Sequence, residues 1–376
     1  MTDPVSVIRA ESYDIVALRR HIEELVSSIG GWDNILDRRE RVLLKPNLLA
    51  ARTPDRAVTT HPNVVEAVAS SLIDYGASVA IGDSPAGAHK GVERVFRNTG
   101  MIDVAEKLGI EWINFEASGA RKIETKSGVT LNINRAIENF DRIISISKLK
   151  THSFMVYTGA VKNLFGLVPG FRKTSYHKLY PKPSRFARMI LDIYENIPIS
   201  LHIMDAIIGM EGNGPSSGDP REVGLLLAST DGIALDRVAE HIVGIKKNYT
   251  PIGKLASKDH PRSTDLDSIR ILGGKIEDFI LDKPFKLTPR IPEIFIPSWL
   301  IRPLAGLIWI RPKPQDALCV RCGICAQSCP VDAITMRGSQ IPEFNYKKCI
   351  TCLCCHETCP EKAITLEKSF IARFIH

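Results

Sequence analysis

Apolar residues along the first 280 positions alternate between strand-like and helix-like spacing. Between Tyr13 and Ile29 they recur every three or four positions, which predicts a helix that ends at Gly30. The apolar runs Arg41–Leu48 and Asp141–Ser147 each predict a strand. Similar patterns predict strands at Val5–Ile8, Ser78–Ile81, Leu201–Met204 and Glu222–Ala228, and helices at Pro62–Tyr75, Lys90–Leu108, Arg185–Glu195 and Asp231–Val243. This alternation predicts an α/β fold with a largely parallel sheet.

The chain divides into three parts by pattern. Residues 1–290 form the predicted α/β domain, as one body or as two lobes with a cleft, and residues 315–370 form a small second domain. The segment 291–314 between them is rich in Ile, Leu and Trp but is interrupted by prolines and by Arg302. We interpret it as a linker that packs between the domains. The alternative is peripheral membrane or partner contact through residues 294–310, because Trp with flanking Arg suits an interface.

No segment predicts export or membrane insertion. The first residues lack the apolar core of a signal peptide, and no stretch reaches the roughly 18–20 apolar residues of a spanning helix. All nine cysteines follow position 318, whereas a disulfide-stabilised protein distributes them over its domains. We therefore expect a cytoplasmic protein whose cysteines bind metal.

The cysteines form an internal repeat of the pattern C-x2-C-x2-C-x3-C-P, whose two copies lie thirty residues apart. This spacing is typical of ferredoxins with two 4Fe–4S clusters, in which the fourth cysteine of each copy ligates the other cluster. The spacing assigns Cys319, Cys322, Cys325 and Cys359 to the first cluster, and Cys349, Cys352, Cys355 and Cys329 to the second. Structural zinc is the alternative, but two copies of the C-P pattern argue against it.

The ninth cysteine, Cys354, falls outside the ligand pattern. Its counterpart in the first copy is Ile324, so we interpret it as a small buried packing thiol. His356 is interpreted as a loop residue rather than a ligand.

Charge is unevenly distributed. The chain has a formal net charge of +7, and the stretch Arg142–Leu191 holds ten Lys and Arg residues but no Asp or Glu. A solvated face is the ordinary explanation of basic residues, but a stretch this long without carboxylates favours a surface that attracts anions. Nucleic-acid binding is not expected, because aromatic residues make up only 7% and no recognised module is present.

Polar residues follow several predicted strands, where open α/β sheets bind ligands. Lysines there suit carboxylate or phosphate ligands, amides both donate and accept hydrogen bonds, and histidines serve as acid or base. The candidate acid–base residues are His152, His61 and Lys150. The candidate binding residues are Lys45, Asn47, Asp83, Lys148, Lys162, Asn163, Asp205, Glu211 and Asn213. For the carboxylates, a turn or helix cap is the alternative interpretation.

Several of these motifs recur together in one family. The stretches Lys45–Leu48, Gly82–Pro85, Ser147–His152, Gly159–Gly166 and Met204–Pro215 resemble a large prokaryotic family known as a domain of unknown function, often fused to a C-terminal two-cluster ferredoxin. The resemblance covers about residues 5–250 and the tail. It implies the architecture, two 4Fe–4S clusters and a distant fold relation to the nickel-dependent lactate racemase, whose catalytic residues have no match here. It implies no reaction.

Known cofactor motifs are missing from the sequence. It contains no G-x4-G-K-[ST] loop, no G-x-G-x-x-G after a strand and no H-E-x-x-H. This argues against a nucleoside triphosphatase, a Rossmann-type nicotinamide enzyme and a zinc protease. Flavin or an additional metal stays open.

Two functions fit these features. The first is an iron–sulfur oxidoreductase that passes electrons to or from a small anionic substrate or cofactor in a basic cleft. The second is a non-catalytic electron-transfer or maturation protein whose basic α/β domain docks on a partner, with Arg172, Lys173 and Lys178 exposed. A deep pocket lined by Lys45, Asp83, Lys150, His152 and Lys162 favours the first, and a flat basic face the second. Oxygen-sensitive clusters also predict a low-oxygen prokaryotic cytoplasm.

Overall fold

The computed structural model describes residues 3–85, 91–288 and 309–369, and its larger part is built on one mixed sheet. The strands of this sheet are β1 (Val5–Arg9), β2 (Arg41–Pro46), β3 (Ser78–Asp83), β4 (Glu111–Asn114), β7 (Arg142–His152), β8 (Val156–Thr158), β9 (Leu201–Glu211), β10 (Asp219–Ser229) and β11 (Ile271–Leu272). Their order is β11-β1-β10-β9-β7-β2-β3-β4, and β8 pairs with β7. Strands β5 (Ala120–Glu124) and β6 (Thr130–Asn134) form a separate antiparallel hairpin.

The centre of the sheet is parallel. Strands β9, β7, β2, β3 and β4 run in the same direction, whereas β10 is antiparallel to both of its neighbours. The predicted α/β class with a largely parallel sheet is therefore confirmed. Because parallel strands end at the same edge, the residues that follow β2, β3 and β7 meet there.

The helices cover both faces of the sheet. They are α1 (Ile15–Ser28), α2 (Pro62–Tyr75), α3 (Val92–Asn98), α4 (Met101–Leu108), α5 (Ala160–Asn163), α6 (Gly170–Leu179), α7 (Pro183–Asn196), α8 (Gly232–Ile242) and α9 (Pro251–Asp259). The single helix predicted over Lys90–Leu108 is wrong, because the chain turns at Gly100, whose φ of 75° is left-handed. The turn separates α3 from α4, and glycine adopts this conformation without steric cost.

Side chains alternate between the two faces along each central strand. Val42 and Leu44 pack into the core shared with α1 and α2, while Leu43 packs into the core on the opposite face. In β7, Ile144 and Ile146 share the first core and Ile143 the second. This period of two decides which polar residues reach the same side of the sheet.

Strand β7 is longer than predicted. The sequence pattern ends the strand at Ser147, but β7 continues to His152, and Lys148 and Lys150 are buried within it. A shift in register against β9 lies between these two lysines. The irregularity lies in β9, where Asp205 and Met210 are the partners of the two lysines.

The small C-terminal part pairs its own ends. Strand β12 (Ile310–Pro314) is antiparallel to β15 (Ile364–Lys368), and β13 (Ile334–Thr335) is antiparallel to β14 (Glu343–Phe344). Two short helices, α10 (Ile324–Gln327) and α11 (Cys354–Thr358), lie between them. The expected linker 291–314 falls largely outside the described residues. Its last five residues are β12, which pairs with β15.

Candidate functional site

A concavity of about 90 Å³ lies at the carboxyl ends of the central strands. Seven of the predicted site residues line it, namely Lys45, Asn47, Asp83, Lys150, His152, Lys162 and Asn163. The opposite wall comes from the small domain and consists of Ser328, Cys354, Glu357 and Thr358. We call this concavity the junction pocket, because both parts of the chain enclose it.

The floor of the junction pocket is a buried ion pair. Lys45 near the end of β2 lies 2.8 Å from Asp83 Oδ1 at the end of β3, and neither side chain is more than 4% exposed. The Asp83 carboxylate also accepts a hydrogen bond of 2.8 Å from the Leu48 backbone N–H. Burial lowers the pKa of Lys45, and the neighbouring Asp83 opposes that shift. The two opposite charges thus balance each other at the base of the pocket.

A glycine allows this pair to be covered. A Cβ at Gly166 would lie 2.1 Å from Asp83 Oδ1 and 2.4 Å from Lys45 Nζ, closer than any real contact. The turn that carries Gly166 therefore packs directly on the ion pair. Any side chain at this position would push the two charged groups apart.

Lys150 is held by neutral oxygens. Its ammonium donates to Asn47 Oδ1 at 2.7 Å and to the Val58 carbonyl at 2.6 Å. Burial lowers its pKa well below the usual value, and the nearby Lys162 lowers it further. Few negative charges surround these two lysines. An anion bound in the junction pocket would therefore stabilise their charged forms.

His152 faces the small domain in a defined tautomer. Its Nδ1 accepts hydrogen bonds from the backbone N–H groups of Phe154 (3.1 Å) and Met155 (3.2 Å). Burial lowers the His152 pKa well below 6.5, so the ring is neutral and carries its proton on Nε2. Nε2 lies 3.4 Å from Glu357 Oε1, and burial raises the Glu357 pKa to about 7. A proton donor and a carboxyl group thus meet across the junction pocket.

Helix α5 carries two residues that line the pocket, Lys162 and Asn163, and its first turn is held by hydrogen bonds to α8. Asp236 on α8 accepts hydrogen bonds from the Ala160 N–H at 2.6 Å and the Val161 N–H at 3.0 Å. These are donors of the first turn that have no partner within the helix. Burial lowers the pKa of Lys162 to about 8, against the opposing effect of Glu357.

The sequence analysis missed further lining residues. Lys173, which donates to the Ser84 carbonyl, and His177 lie on α6, and both are buried. Burial lowers the Lys173 pKa to about 8 and the His177 pKa to about 3. Both belong to the carboxylate-free stretch Arg142–Leu191, which was the available signal. Within the described residues, His177 Nδ1 and Thr158 Oγ1 in this pocket have no hydrogen-bond partner.

Three predicted site residues form a separate buried cluster. Lys148 lies 2.8 Å from Asp205 Oδ2, and Tyr13 donates to the same carboxylate at 2.9 Å. His61 caps α2 and stacks on Tyr13 with ring centroids 3.7 Å apart. Lys148 donates to Tyr13 and pairs with Asp205, and it does not line the junction pocket.

The last two predicted residues also lie outside the junction pocket. Glu211 pairs with Arg221 at 3.2 Å and with Lys286 at 3.6 Å. Asn213 is exposed in the turn after β9.

The cysteines of the small domain surround two further cavities. Cys319, Cys322, Cys325 and Cys359 line one cavity, which we call the first cysteine cavity. Cys329, Cys349, Cys352 and Cys355 line the second cysteine cavity. Among the residues that the structure describes, no three His, Cys, Asp or Glu side chains converge on a single-ion site. Four thiols around each of the two cavities fit the donor set of a 4Fe–4S cluster, which needs four thiolates.

The two copies of the repeat also match in backbone detail. The fourth cysteines, Cys329 and Cys359, each accept a hydrogen bond of 3.2 Å from the N–H four residues later. Left-handed residues recur thirty positions apart at Arg321 and Thr351, Gly323 and Leu353, and Asp332 and Lys362. Hydrogen bonds to ligand sulfur are one of the factors that set the potential of a cluster.

These features define a protein in which an α/β domain and an iron–sulfur domain enclose one pocket. The chain belongs to the family described as domain of unknown function DUF362, whose model matches residues 42–241. Residues 318–370 match the 4Fe-4S dicluster domain, so the small domain binds iron–sulfur clusters and serves in electron transfer. The family predicted from the motifs is therefore confirmed.

One relative and two solved structures are similar. A thylakoid-associated protein of Synechocystis sp. is 39% identical over 253 residues, covering 67% of this chain and 78% of the relative. A crystal structure of a Thermotoga maritima protein has a TM-score of 0.41 and 14% identity, with 67% of this chain and 60% of that one covered. The lactate racemase apoprotein of Thermoanaerobacterium thermosaccharolyticum has the same TM-score and identity, with 64% and 57% covered. This chain thus spans under two thirds of either solved protein.

The structure bears on whether a helix could span a membrane. In the described ranges, no helix is both long and apolar enough to cross a bilayer. The segment 294–310, for which peripheral membrane contact was an alternative, lies outside those ranges except at its last two residues.

Proposed function

We propose that this protein is an iron–sulfur oxidoreductase whose junction pocket holds a small anionic substrate or cofactor. The observation that carries the proposal is the composition of the pocket. Lysines from the α/β domain line one wall, and residues within two positions of predicted cluster ligands form the other. When bound, two 4Fe–4S clusters would supply one-electron transfer, with the cysteines of each cavity as ligands.

The charges of the junction pocket favour an anion. It is lined by four lysines and two carboxyl groups, and the Lys45–Asp83 pair balances itself. The three remaining lysines, Lys150, Lys162 and Lys173, face one carboxyl group, Glu357. In a poorly solvated pocket, a nearby opposite charge strongly stabilises a charged group. A carboxylate or phosphate ligand would therefore balance this excess of positive charge.

Contacts between the domains hold the pocket closed. Ser216 donates to the Glu357 carbonyl at 2.6 Å, and Arg52 donates to the Cys359 carbonyl at 2.9 Å. Lys362 donates to the Gly218 carbonyl at 3.1 Å. These bonds seat α11 against the α/β domain, and His152 can then hold a proton at Nε2 near a bound substrate.

The docking alternative receives less support. Lys173, which docking requires to be exposed, is buried in the junction pocket, whereas Lys178, Lys182 and Arg185 are exposed. Most of the buried basic charge therefore converges on the pocket instead of forming a flat face. Docking of a separate redox partner on the small domain remains part of the proposal, since electrons must enter or leave the clusters.

The test is anaerobic reoxidation of dithionite-reduced protein. Pyruvate, 2-oxoglutarate, fumarate and flavin mononucleotide would each be added while the cluster absorbance is followed. We expect at least one compound to reoxidise the clusters faster than buffer alone. Lys162→Gln should remove that acceleration, and Lys178→Gln, which changes an exposed lysine, should keep it. Reoxidation by none of the four, or equal rates in both variants, would contradict the proposal.

The compartment is a separate prediction. Cysteine usage predicts a cytoplasmic location, whereas a relative is named as thylakoid-associated. We propose a protein that works in the cytoplasm and associates with membranes at their surface. Cell fractionation checks this, because surface association should be released from the membrane pellet by high salt. A membrane pellet that retains the protein in high salt would contradict it.

A further inference from the structure

The junction pocket and the second cysteine cavity share a thin wall. Cys352, Leu353 and Cys355 line the second cysteine cavity, whereas Cys354, between them in sequence, lines the junction pocket. The same division occurs at a second position, where Ser328 lines the pocket and Cys329 lines the cavity. The first cysteine cavity approaches the pocket at one such step, from Thr358 to Cys359. The pocket therefore adjoins the second cavity more extensively than the first.

Cys354 lies at the wall that the pocket shares with the second cysteine cavity. It is 7% exposed and lines the junction pocket, while its neighbours Leu353 and Cys355 line the cavity. Lys162 lines the same pocket from the α/β domain. A charged group held near Lys162 would therefore have Cys354 on the side that faces the second cysteine cavity.

The α/β side of the pocket is built to hold a polar ligand. Thr158 Oγ1 and His177 Nδ1 line it and, within the described part of the chain, have no hydrogen-bond partner. Thr158 is 2% exposed and His177 is 6% exposed. Unpartnered polar atoms at such burial cost free energy unless a ligand or water satisfies them.

The two cavities differ in exposure. Cys322 of the first cavity is exposed, and the adjacent Val320 is 61% exposed. Cys325 and Cys359 of the first cavity are buried, as are Cys352 and Cys355 of the second, but none of the four second-cavity cysteines is exposed. The first cavity is therefore accessible from solvent, and the second lies towards the junction pocket.

We propose that Cys354 is a positioning residue that couples the junction pocket to the second cysteine cavity. Cys329, Cys349, Cys352 and Cys355 would then hold the cluster that serves the pocket. The first-cavity cysteines, with the exposed Cys322, would hold the cluster that serves the external redox partner. This inference rests on the proposed function and adds the order of the two clusters along the electron path. Cys354 would act by offering its S–H as a hydrogen-bond donor beside the ligand sulfurs, which stabilises the more negative, reduced form.

The repeat offers a matched control for Cys354. Ile324 occupies the same position in the first copy, where Cys322, Gly323 and Cys325 line the first cavity and Ile324 does not. Anaerobic redox titrations followed by low-temperature EPR would give two midpoint potentials for the wild type, Cys354→Ala, Ile324→Ala and Lys162→Gln. Iron content would be measured for each variant.

We expect Cys354→Ala to lower one of the two potentials, because the reduced form loses a hydrogen-bond donor. Lys162→Gln should lower the same potential, because it removes a nearby positive charge. Ile324→Ala should leave that potential unchanged. Cys354→Ser retains a donor and should stay close to the wild type in potential. If Cys354→Ala loses iron, the Ser variant and Lys162→Gln carry the test.

Two results would overturn the inference. One is that Cys354→Ala and Lys162→Gln shift different potentials. The other is that neither variant shifts any potential. The proposed function would survive either result if reoxidation by a small anion still required Lys162. The proposed function would be contradicted, whatever the potentials, if Lys162→Gln left that reoxidation unchanged.

Discussion

Neutralising Asp83 should strongly destabilise the α/β domain, because Lys45 would be left as an uncompensated buried charge. The two side chains are 0% and 4% exposed. Breaking a buried pair by removing one partner costs about 3–5 kcal/mol, whereas an exposed pair contributes about 0–1 kcal/mol. Asparagine retains the size of Asp83 and an acceptor for the Leu48 N–H. We therefore expect Asp83→Asn to reduce the free energy of unfolding by about 3–5 kcal/mol at pH 7.

The double variant Lys45→Met/Asp83→Asn should recover most of this loss, because replacing both charges avoids the unpaired one. The matched control is Asp74→Asn, which breaks the exposed pair between Asp74 and Arg19 and should cost under about 1 kcal/mol. The assay is anaerobic urea unfolding followed by circular dichroism, with a check that the slope against urea is unchanged.

The loss should also depend on pH with a defined sign. Burial lowers the pKa of Lys45 below 10.5 in the folded protein, and Asp83→Asn removes the charge that opposes this shift. On raising the pH, the folded state therefore releases the Lys45 proton before the unfolded chain does. Between the two pKa values the unfolding free energy rises with pH, so the deficit of Asp83→Asn should shrink as pH approaches 10.5. The reasoning is refuted if Asp83→Asn costs no more than Asp74→Asn, or if the double variant is no more stable than the single one.

Three further predictions concern the junction pocket. Inorganic phosphate binding, measured by calorimetry, should weaken as pH rises above about 8, because the pKa values of Lys162 and Lys173 are both lowered to about 8 by burial; unchanged affinity from pH 7 to 9 would contradict this. Gly166→Ala should abolish phosphate binding and lower Tm, because its Cβ would lie 2.1 Å from Asp83 Oδ1, whereas Gly91→Ala, which meets nothing within 4 Å, should do neither. Asp236→Ala should reduce the free energy of unfolding by about 1–3 kcal/mol and weaken phosphate binding, because it frees two N–H groups of α5; binding equal to the wild type would show that α5 needs no anchor.

Periodicity and spacing predicted the parts of this protein that depend on local sequence. The helix Pro62–Tyr75 has the predicted bounds, because a proline early in the helix and Gly76 after it are strong end signals. The α/β class followed from alternating segments, and the iron–sulfur domain from cysteine spacing. In each case neighbours in sequence carry the information.

The parts that the sequence did not predict depend on distant contacts. Lys148 and Lys150 look equivalent in sequence, yet Lys148 pairs with Asp205 and Lys150 lines the junction pocket. The contribution of Glu357 and Cys354 to this pocket could not be read from spacing either. It arises because α11 docks against residues more than a hundred positions earlier, such as Ser216. Helix Lys90–Leu108 failed for a local reason, the left-handed Gly100, which apolar periodicity alone did not reveal.

The central claim is that two 4Fe–4S clusters serve the junction pocket, and the most direct test is metal analysis of anaerobically purified protein. Iron and acid-labile sulfide would be measured together with EPR of the dithionite-reduced wild type and Cys329→Ala. We predict about eight iron and eight sulfide per chain and coupled signals from two reduced clusters. Cys329→Ala should damage the cluster whose other ligands are Cys349, Cys352 and Cys355. One cluster per chain, or zinc in place of iron, would contradict the claim.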